Sequence, residues 1–473
     1  MAASERFDRY MDYLAEGLGH LDRHAGLKGY CTGLMLPLAR KSVEPMAARV
    51  DPLHASARHQ ALHHFVAKAE WSDAEMRRRI CQWVVPKMDF ARGGWWIIDD
   101  TGFPKKGKHS VGVARQYCGM LGKQDNCQVA VSVSLACDQG SIPVAWQLYL
   151  PADWATDLLR RRQAGVPEEV RFATKTQIAL AQLRGLLAEG APRHCVLADA
   201  GYGVDTAFRQ ALSDMGLQYA VGVTSAVVVW PPGTEPLPPK RYSGKGRPPV
   251  TPRRTARLQP MSVKALAMAL PAQAFQTISW REGTNEALSG RFAAVRVRHA
   301  GGNAGKARLR PLQWLLIEWP AGQAEPVKYV LSTMPEDTSL NELVDAAHQR
   351  WRIERDYQDL KQDFGLGHYE GRGWRGFHHA TLSIAAYGFL MAERLIADKP
   401  VGGKKNFIER KVSAVPKNYF PRGSPARAAP RCALDHDSST QPELRAHRTH
   451  RTHRTVSLLR ASVPKRKATL VTQ

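Results

Sequence analysis

The chain has 473 residues, 44% of them hydrophobic, and a formal charge of +24. That length buries a large core and predicts roughly two to four domains, and so large a positive excess points to a polyanionic partner, nucleic acid ahead of a membrane surface. No apolar run reaches the roughly 20 residues that span a bilayer, and the opening Met1-Ala2-Ala3-Ser4-Glu5-Arg6 lacks a signal-peptide pattern, so the expectation is a cytoplasmic protein. Seven scattered cysteines without a C-x-x-C pair exclude a disulfide framework and argue against structural zinc.

Residues 1–88 carry apolar residues at helical spacing, with Ser72-Asp73 as a start signal. They predict an all-α N-terminal domain, either a packing domain or a helical reader of DNA. The character changes at Gly93-Gly94. Trp95-Trp96-Ile97-Ile98 reads as a short buried strand that delivers Asp99-Asp100-Thr101-Gly102 to its C-terminal end. A basic loop with Lys105, Lys106, Lys108 and His109 follows, and Cys127–Cys137 and Ile142–Leu150 read as strands of a hairpin. Ala173–Ala188 predicts a helix, Cys195–Ala198 a second buried strand ending in Asp199, Val204–Met215 a helix and Tyr219–Val223 a strand.

That order, 89–224, is an α/β pattern with a mixed sheet. Residues 225–335 interrupt it, first with a Pro-rich basic stretch that includes Arg253 and Arg254, then with segments that alternate like strands. They predict a β-rich insertion before the core resumes at 336–398. From 399 to 473 periodicity is lost, basic residues far outnumber acidic ones and a His-Arg-Thr triplet repeats, which predicts a largely flexible basic tail.

No Gly or Pro interrupts Ser339 to Phe364, so this run predicts one long helix. On it Arg350, Glu354 and Lys361 share a face, a carboxylate between two cations. Taken alone, that is also the pattern of a solvated salt-bridge face. Asp356 and Asp359 fall on other faces and are expected to be solvated. If the two Asp-bearing strands are neighbours in an RNase H-like mixed five-stranded sheet with helices on both faces, Asp100 and Asp199 emerge at one edge and the helix brings Glu354 beside them. Three such carboxylates repel one another unless hard cations neutralise them, and two metals about 3.5–4 Å apart support phosphodiester cleavage and strand transfer.

At these residues the sequence resembles the DDE transposases of bacterial insertion sequences. The resemblance lies in Ile98-Asp99-Asp100-Thr101, in Val196-Leu197-Ala198-Asp199 and in Arg350-Trp351-Arg352-Ile353-Glu354 with Lys361; Phe103–Gly107 and Gly122–Gln128 share it, so that it spans roughly 93–397. It implies Asp100, Asp199 and Glu354 as metal ligands for two Mg²⁺ ions, with Mn²⁺ as a substitute, and Arg350 and Lys361 as contacts to phosphates. Asp99 is the rival for the first position; the family's Asp directly precedes Thr, which selects Asp100. Trp314 resembles an insertion-domain Trp that stacks on a flipped base, and is equally a core Trp, with Trp319 nearby. Lys105, Lys106, Lys123, Arg253 and Arg254 are the further expected DNA contacts. His378 and His379 are expected at a helix start or facing DNA. The family subgroup carries Tyr three residues before the Arg, where this chain has Ala347.

The resemblance implies an enzyme that binds the terminal inverted repeats of its element as a homodimer assembled on DNA, cuts, and joins the freed 3′-OH to a new phosphate. The alternatives are a non-catalytic DNA-binding repressor derived from such an enzyme, and a simple metal-dependent endonuclease.

Overall fold

A computed structural model describes residues 2–246, 253–280, 287–300 and 309–397; the expected basic tail lies outside them. Five helices come first: α1 (Ala3–Ala15), α2 (Asp22–Met35), α3 (Val43–Val50), α4 (Ala55–Ala67) and α5 (Asp73–Val84), the last capped by Ser72 Oγ accepting from the Glu75 amide. The strands β1 (Trp95–Pro104), β2 (Ala114–Cys118), β3 (Lys123–Cys137) and β4 (Gly140–Leu148) follow. Next come α6 (Ala152–Thr156), α7 (Leu158–Ala164), α8 (Lys175–Ala188), β5 (Cys195–Ala198), α9 (Ala200–Gly203), α10 (Thr206–Asp214) and β6 (Tyr219–Val223). The inserted region contributes β7 (Val228–Trp230), β8 (Met261–Ser262), α11 (Val263–Ala269), β9 (Gln276–Trp280), β10 (Leu288–His299), β11 (Gln313–Glu318) and β12 (Lys328–Ser332). The described chain closes with α12 (Leu340–His348), α13 (Trp351–Gln362) and α14 (His378–Ala397).

The result is a mixed α/β fold on one sheet. Strands β4, β3, β1, β5 and β6 are neighbours, β1–β5 and β5–β6 parallel and the others antiparallel. The expected five strands are not the whole sheet. β12 pairs antiparallel with β6, so the inserted strands continue the sheet to twelve. An unpaired β6 edge would expose a row of amides and carbonyls, and β12 satisfies them.

Two faces are covered differently. On one, Ile353 and Tyr357 of α13 pack on Trp95, Ile97, Leu197 and Ala220. On the other, α8 crosses β3, with Gln182 donating to the Val131 carbonyl at 3.0 Å. The N-terminal helices clasp α14: Tyr10 donates to the Ala385 carbonyl, the Arg6 guanidinium grips Glu393, and Trp71 stacks on His378 at 3.8 Å. The run Trp374–Ala397 is, by length and composition alone, apolar enough to cross a membrane, contrary to the reading of the sequence. It is 72% buried within the fold, as a core helix is.

The uninterrupted helix expected from Ser339 to Phe364 is two helices. α12 ends at His348, whose ring lies on Trp280 and Phe292, while α13 starts at Trp351 and packs on β1 and β5. The helix breaks at Gln349-Arg350, so that α12 covers Phe292 and Leu316 while α13 covers β1 and β5.

Asp356 and Asp359 are buried, not solvated. Asp356 accepts from three hydroxyls, Ser141 at 2.6 Å, Ser134 at 2.8 Å and Tyr387 at 3.0 Å, which join α13 to β3, β4 and α14. Asp359 lies against Arg355 at 3.0 Å and Arg394 at 3.8 Å. His378 and His379 start α14 as expected but face the interior: His378 pairs with Asp73, and His379 bonds Tyr30 and the Gly365 carbonyl.

Burial pushes the Asp356 carboxyl up to about 7, against the opposing pull of its hydroxyl partners. The native state therefore holds this proton between the unfolded value near 3.8 and about 7, and stability falls as pH rises through that window. Urea unfolding of wild type and Asp356→Asn at pH 4.5 and 7.5 should show wild type losing stability relative to the variant at the higher pH. A pH-independent difference contradicts this.

Candidate acidic centre

The register of β1 and β5 sets the geometry. Ile97 lies opposite Leu197 and Ile98 opposite Ala198 in a parallel pair, so Asp99 and Asp199 follow side by side where that pairing stops; β5 ends at Ala198, but β1 does not end at the acids as expected and runs on, paired with β3, to Pro104. Side chains alternate along a strand. Asp99 thus shares the face of Ile97, toward α13, and Asp100 points to the opposite face, toward α8.

The contacts follow this alternation. Arg350 Nη1 donates to Asp99 Oδ2 at 3.0 Å and Nη2 to Glu354 Oε1 at 2.8 Å, so one guanidinium spans both carboxylates. Asp100 Oδ2 instead accepts from Lys175 Nζ at 2.7 Å, at the start of α8. Tyr202 ties the pair together: its hydroxyl lies 3.4 Å from Asp100 Oδ1, and its amide donates to Asp199 Oδ1 at 3.3 Å.

Asp199 owes its position to two glycines. A Cβ on Gly203 would fall 1.9 Å from the Gly222 carbonyl oxygen, and one on Gly222 would meet the Ala200 amide nitrogen at 3.0 Å. Only glycines let the turn after β5 lie flat on β6. Gly203→Ala is expected to cost about 3 kcal/mol or more in unfolding free energy because the obstacle is backbone.

Burial pushes Asp99 up to about 7, with Arg350 opposing and Asp199 and Asp100 adding to the rise. Burial disfavours the Arg350 charge, but Asp99 and Glu354 more than compensate and raise it. The acidic cluster is held by two cations, Arg350 on Asp99 and Glu354 and Lys175 on Asp100.

The other expected contacts are dispersed. Lys361 lies over the Phe103 and Tyr357 rings and donates to the Gly102 carbonyl at 3.3 Å, with burial lowering its pKa. Lys105 donates to the Tyr369 carbonyl at 2.9 Å and is also lowered by burial. Lys106 and Arg254 are exposed, Lys123 pairs with Asp125 at 3.1 Å, and Arg253 Nε donates to the Pro238 carbonyl. Trp314 is half-buried, donates Nε1 to the Pro335 carbonyl and carries Arg296 over its ring; Trp319 packs on Phe275 instead. The sequence reading passed over Lys175 and Tyr202, although Lys175 at a helix start and Tyr202 three residues after Asp199 were visible signals.

Asp99 is 17% exposed and Glu354 59%, so the two contacts of Arg350 differ in worth. Double-mutant cycles in urea should give roughly 1–3 kcal/mol of coupling for Asp99 with Arg350 and roughly 0.3–0.5 kcal/mol for Arg350 with Glu354. Equal couplings contradict the geometry.

The chain is similar to known proteins on three counts. The profile of the DDE superfamily endonucleases matches residues 13–287, a span that contains Asp99, Asp100 and Asp199 and ends before α13. Over 194 residues the chain is 33% identical to a protein described as "Probable transposase for insertion sequence element IS701" of Microchaete diplosiphon, covering 41% of this chain and 47% of the relative. The chain thus spans about half the length of that relative. In structure it is similar to the piggyBac transposase of a synaptic complex with hairpin DNA, at 10% identity and a TM-score of 0.37, covering 83% of this chain and 67% of that one. On the profile match, which takes in more than half of its length, the chain belongs to the DDE superfamily of endonucleases.

Proposed function

We propose that the chain is a DNA transposase of an insertion sequence, with an RNase H-like core whose acidic centre cuts and joins DNA strands. The observation that carries this reading is the meeting of Asp99, Asp199, Arg350 and Glu354 at one end of the β1–β5 pair, within a chain of the DDE superfamily. The strand order β4-β3-β1-β5-β6, in which β3 alone runs against the others, supports the RNase H-like assignment. The net charge of +24 suits a DNA partner.

The donor set fits hard divalent cations, since every candidate ligand offers carboxylate oxygens only. Among the described residues no three His, Cys, Asp or Glu side chains stand close enough to hold an ion, and Arg350 supplies the neutralising charge between Asp99 and Glu354. Two Mg²⁺ ions, when bound, supply Lewis-acid charge to a phosphate and favour deprotonation of an attacking water. Asp199 and Glu354 are the proposed ligands. Register and Arg350 favour Asp99 as the third; Asp100, the residue before Thr101, is its competitor. Arg350 and Lys361 would hold DNA phosphates, with Lys105, Lys106, Lys123, Arg253 and Arg254 extending the contact and Trp314 offered to an unstacked base. The reading includes recognition of the element's inverted repeats by a homodimer assembled on DNA in the cytoplasm.

The test is cleavage and joining of labelled DNA from the flanks of the coding sequence, with Mg²⁺. Asp99→Ala, Asp199→Ala and Glu354→Ala should each lower cleavage by roughly 100-fold or more while DNA affinity stays within about threefold. Loss at Asp100→Ala with retention at Asp99→Ala transfers the first position to Asp100. Cleavage without joining makes the protein a simple endonuclease; binding without either reaction makes it a repressor.

A further inference from the structure

The hairpin between β2 and β3 carries an apolar tip that no core claims. Tyr117 is 60% exposed, Met120 56% and Leu121 42%, three large apolar side chains within five residues. Isolated exposed apolar residues are ordinary, but a cluster on a projecting turn signals contact with something else. The base of the hairpin is well held: Ala114–Cys118 pairs with Lys123–Cys127, and Cys118, Cys127 and Val129 form a small core of their own. Alternation along β2 turns Cys118 inward and Arg115 and Tyr117 outward. Gly122, at φ +63°, makes the return that leaves Met120 and Leu121 at the apex.

Two further facts specify the partner. Cations stand along the hairpin from its tip to its base. Lys123 stands beside the tip, while Arg115 and its pairing partner Asn126 lie toward the base, where Asn126 binds the carbonyls of Lys105 and Gly107 and fastens the loop with the exposed Lys106 and Lys108. Asp125, paired with Lys123, is the acidic residue on this hairpin. The end of β2, from which the tip springs, also lies against β1 just past the acidic residues: Gly102, two residues beyond Asp100, is so close to Cys118 that an added Cβ would stand 2.9 Å from its Sγ, and the Gly102 carbonyl holds Lys361.

We propose that Met120 and Leu121 form a wedge that inserts at a base step of duplex DNA next to the phosphate held at the acidic centre, with Tyr117 against the displaced base and the surrounding cations on the backbone. Apolar side chains between base steps unstack and kink the duplex, at a cost that contacts from the bent DNA offset. This inference rests on the DNA reading given above.

An unstacked step costs less at a mismatch, so a wedge prefers mismatched DNA. Binding is read by fluorescence anisotropy in EDTA, with a 30-base-pair duplex either fully paired or bearing one central mismatch. Wild type should bind the mismatched duplex roughly tenfold more tightly. Met120→Ser/Leu121→Ser should hold the paired duplex within about threefold of wild type but lose the preference; both positions are exposed, and an unchanged melting temperature checks the fold. If wild type binds both duplexes equally, or the variant keeps the preference, the wedge is overturned while the DNA reading stands. A variant that turns from dimer to monomer with its preference intact makes the tip a self-association surface and also overturns it. Failure of wild type to bind any duplex overturns both.

Discussion

The structure depends on the parallel pairing of β1 with β5. That pairing sets Asp99 beside Asp199 at a half-buried sheet end, where two like charges cannot stand without a cation. Arg350 meets this need from α13 and brings Glu354 to the same place. The cost of burying acid is visible in the raised Asp99 carboxyl.

The surrounding architecture holds these parts in register. Gly203 and Gly222 let the turn behind Asp199 rest on β6. Asp356, two residues after Glu354, draws hydroxyls from β3, β4 and α14 and so fixes how α13 lies on the sheet. The bend at Gln349-Arg350 frees α12 to pack on the inserted strands while α13 stays on the core, and places Arg350 at the first turn of α13. The inserted region is joined to the core through β12 and β6, which makes it a continuation of the sheet that carries the acids.

Much of this was legible in the sequence because the signals are local. Cys195–Ala198 is an apolar run that ends in Asp and is a strand, and Trp95–Ile98 opens one that runs on to Pro104; Lys175–Ala188 and His378–Ala397 are helices where periodicity expects them. The resemblance to the transposases agrees with the family profile. What escaped was set by distant partners. Burial of Asp356 depends on Ser134, Ser141 and Tyr387, far away in the chain. The partners of the two neighbouring acids, Arg350 for Asp99 and Lys175 for Asp100, also come from distant parts of the chain. The helix break has no Gly or Pro to announce it; it comes from the two surfaces α12 and α13 cover. The extension of the sheet needed knowledge of which edge β12 would meet.

That Asp99, Asp199 and Glu354 form one cation-binding centre is a proposal open to measurement. Its most direct test is titration of the metal-free protein with Mn²⁺, followed by electron paramagnetic resonance, with and without duplex DNA. The account predicts saturable binding by wild type, and binding weaker by roughly tenfold or more in Asp99→Asn/Asp199→Asn/Glu354→Gln. Equal binding by wild type and the triple variant, or no binding by wild type under either condition, would contradict it.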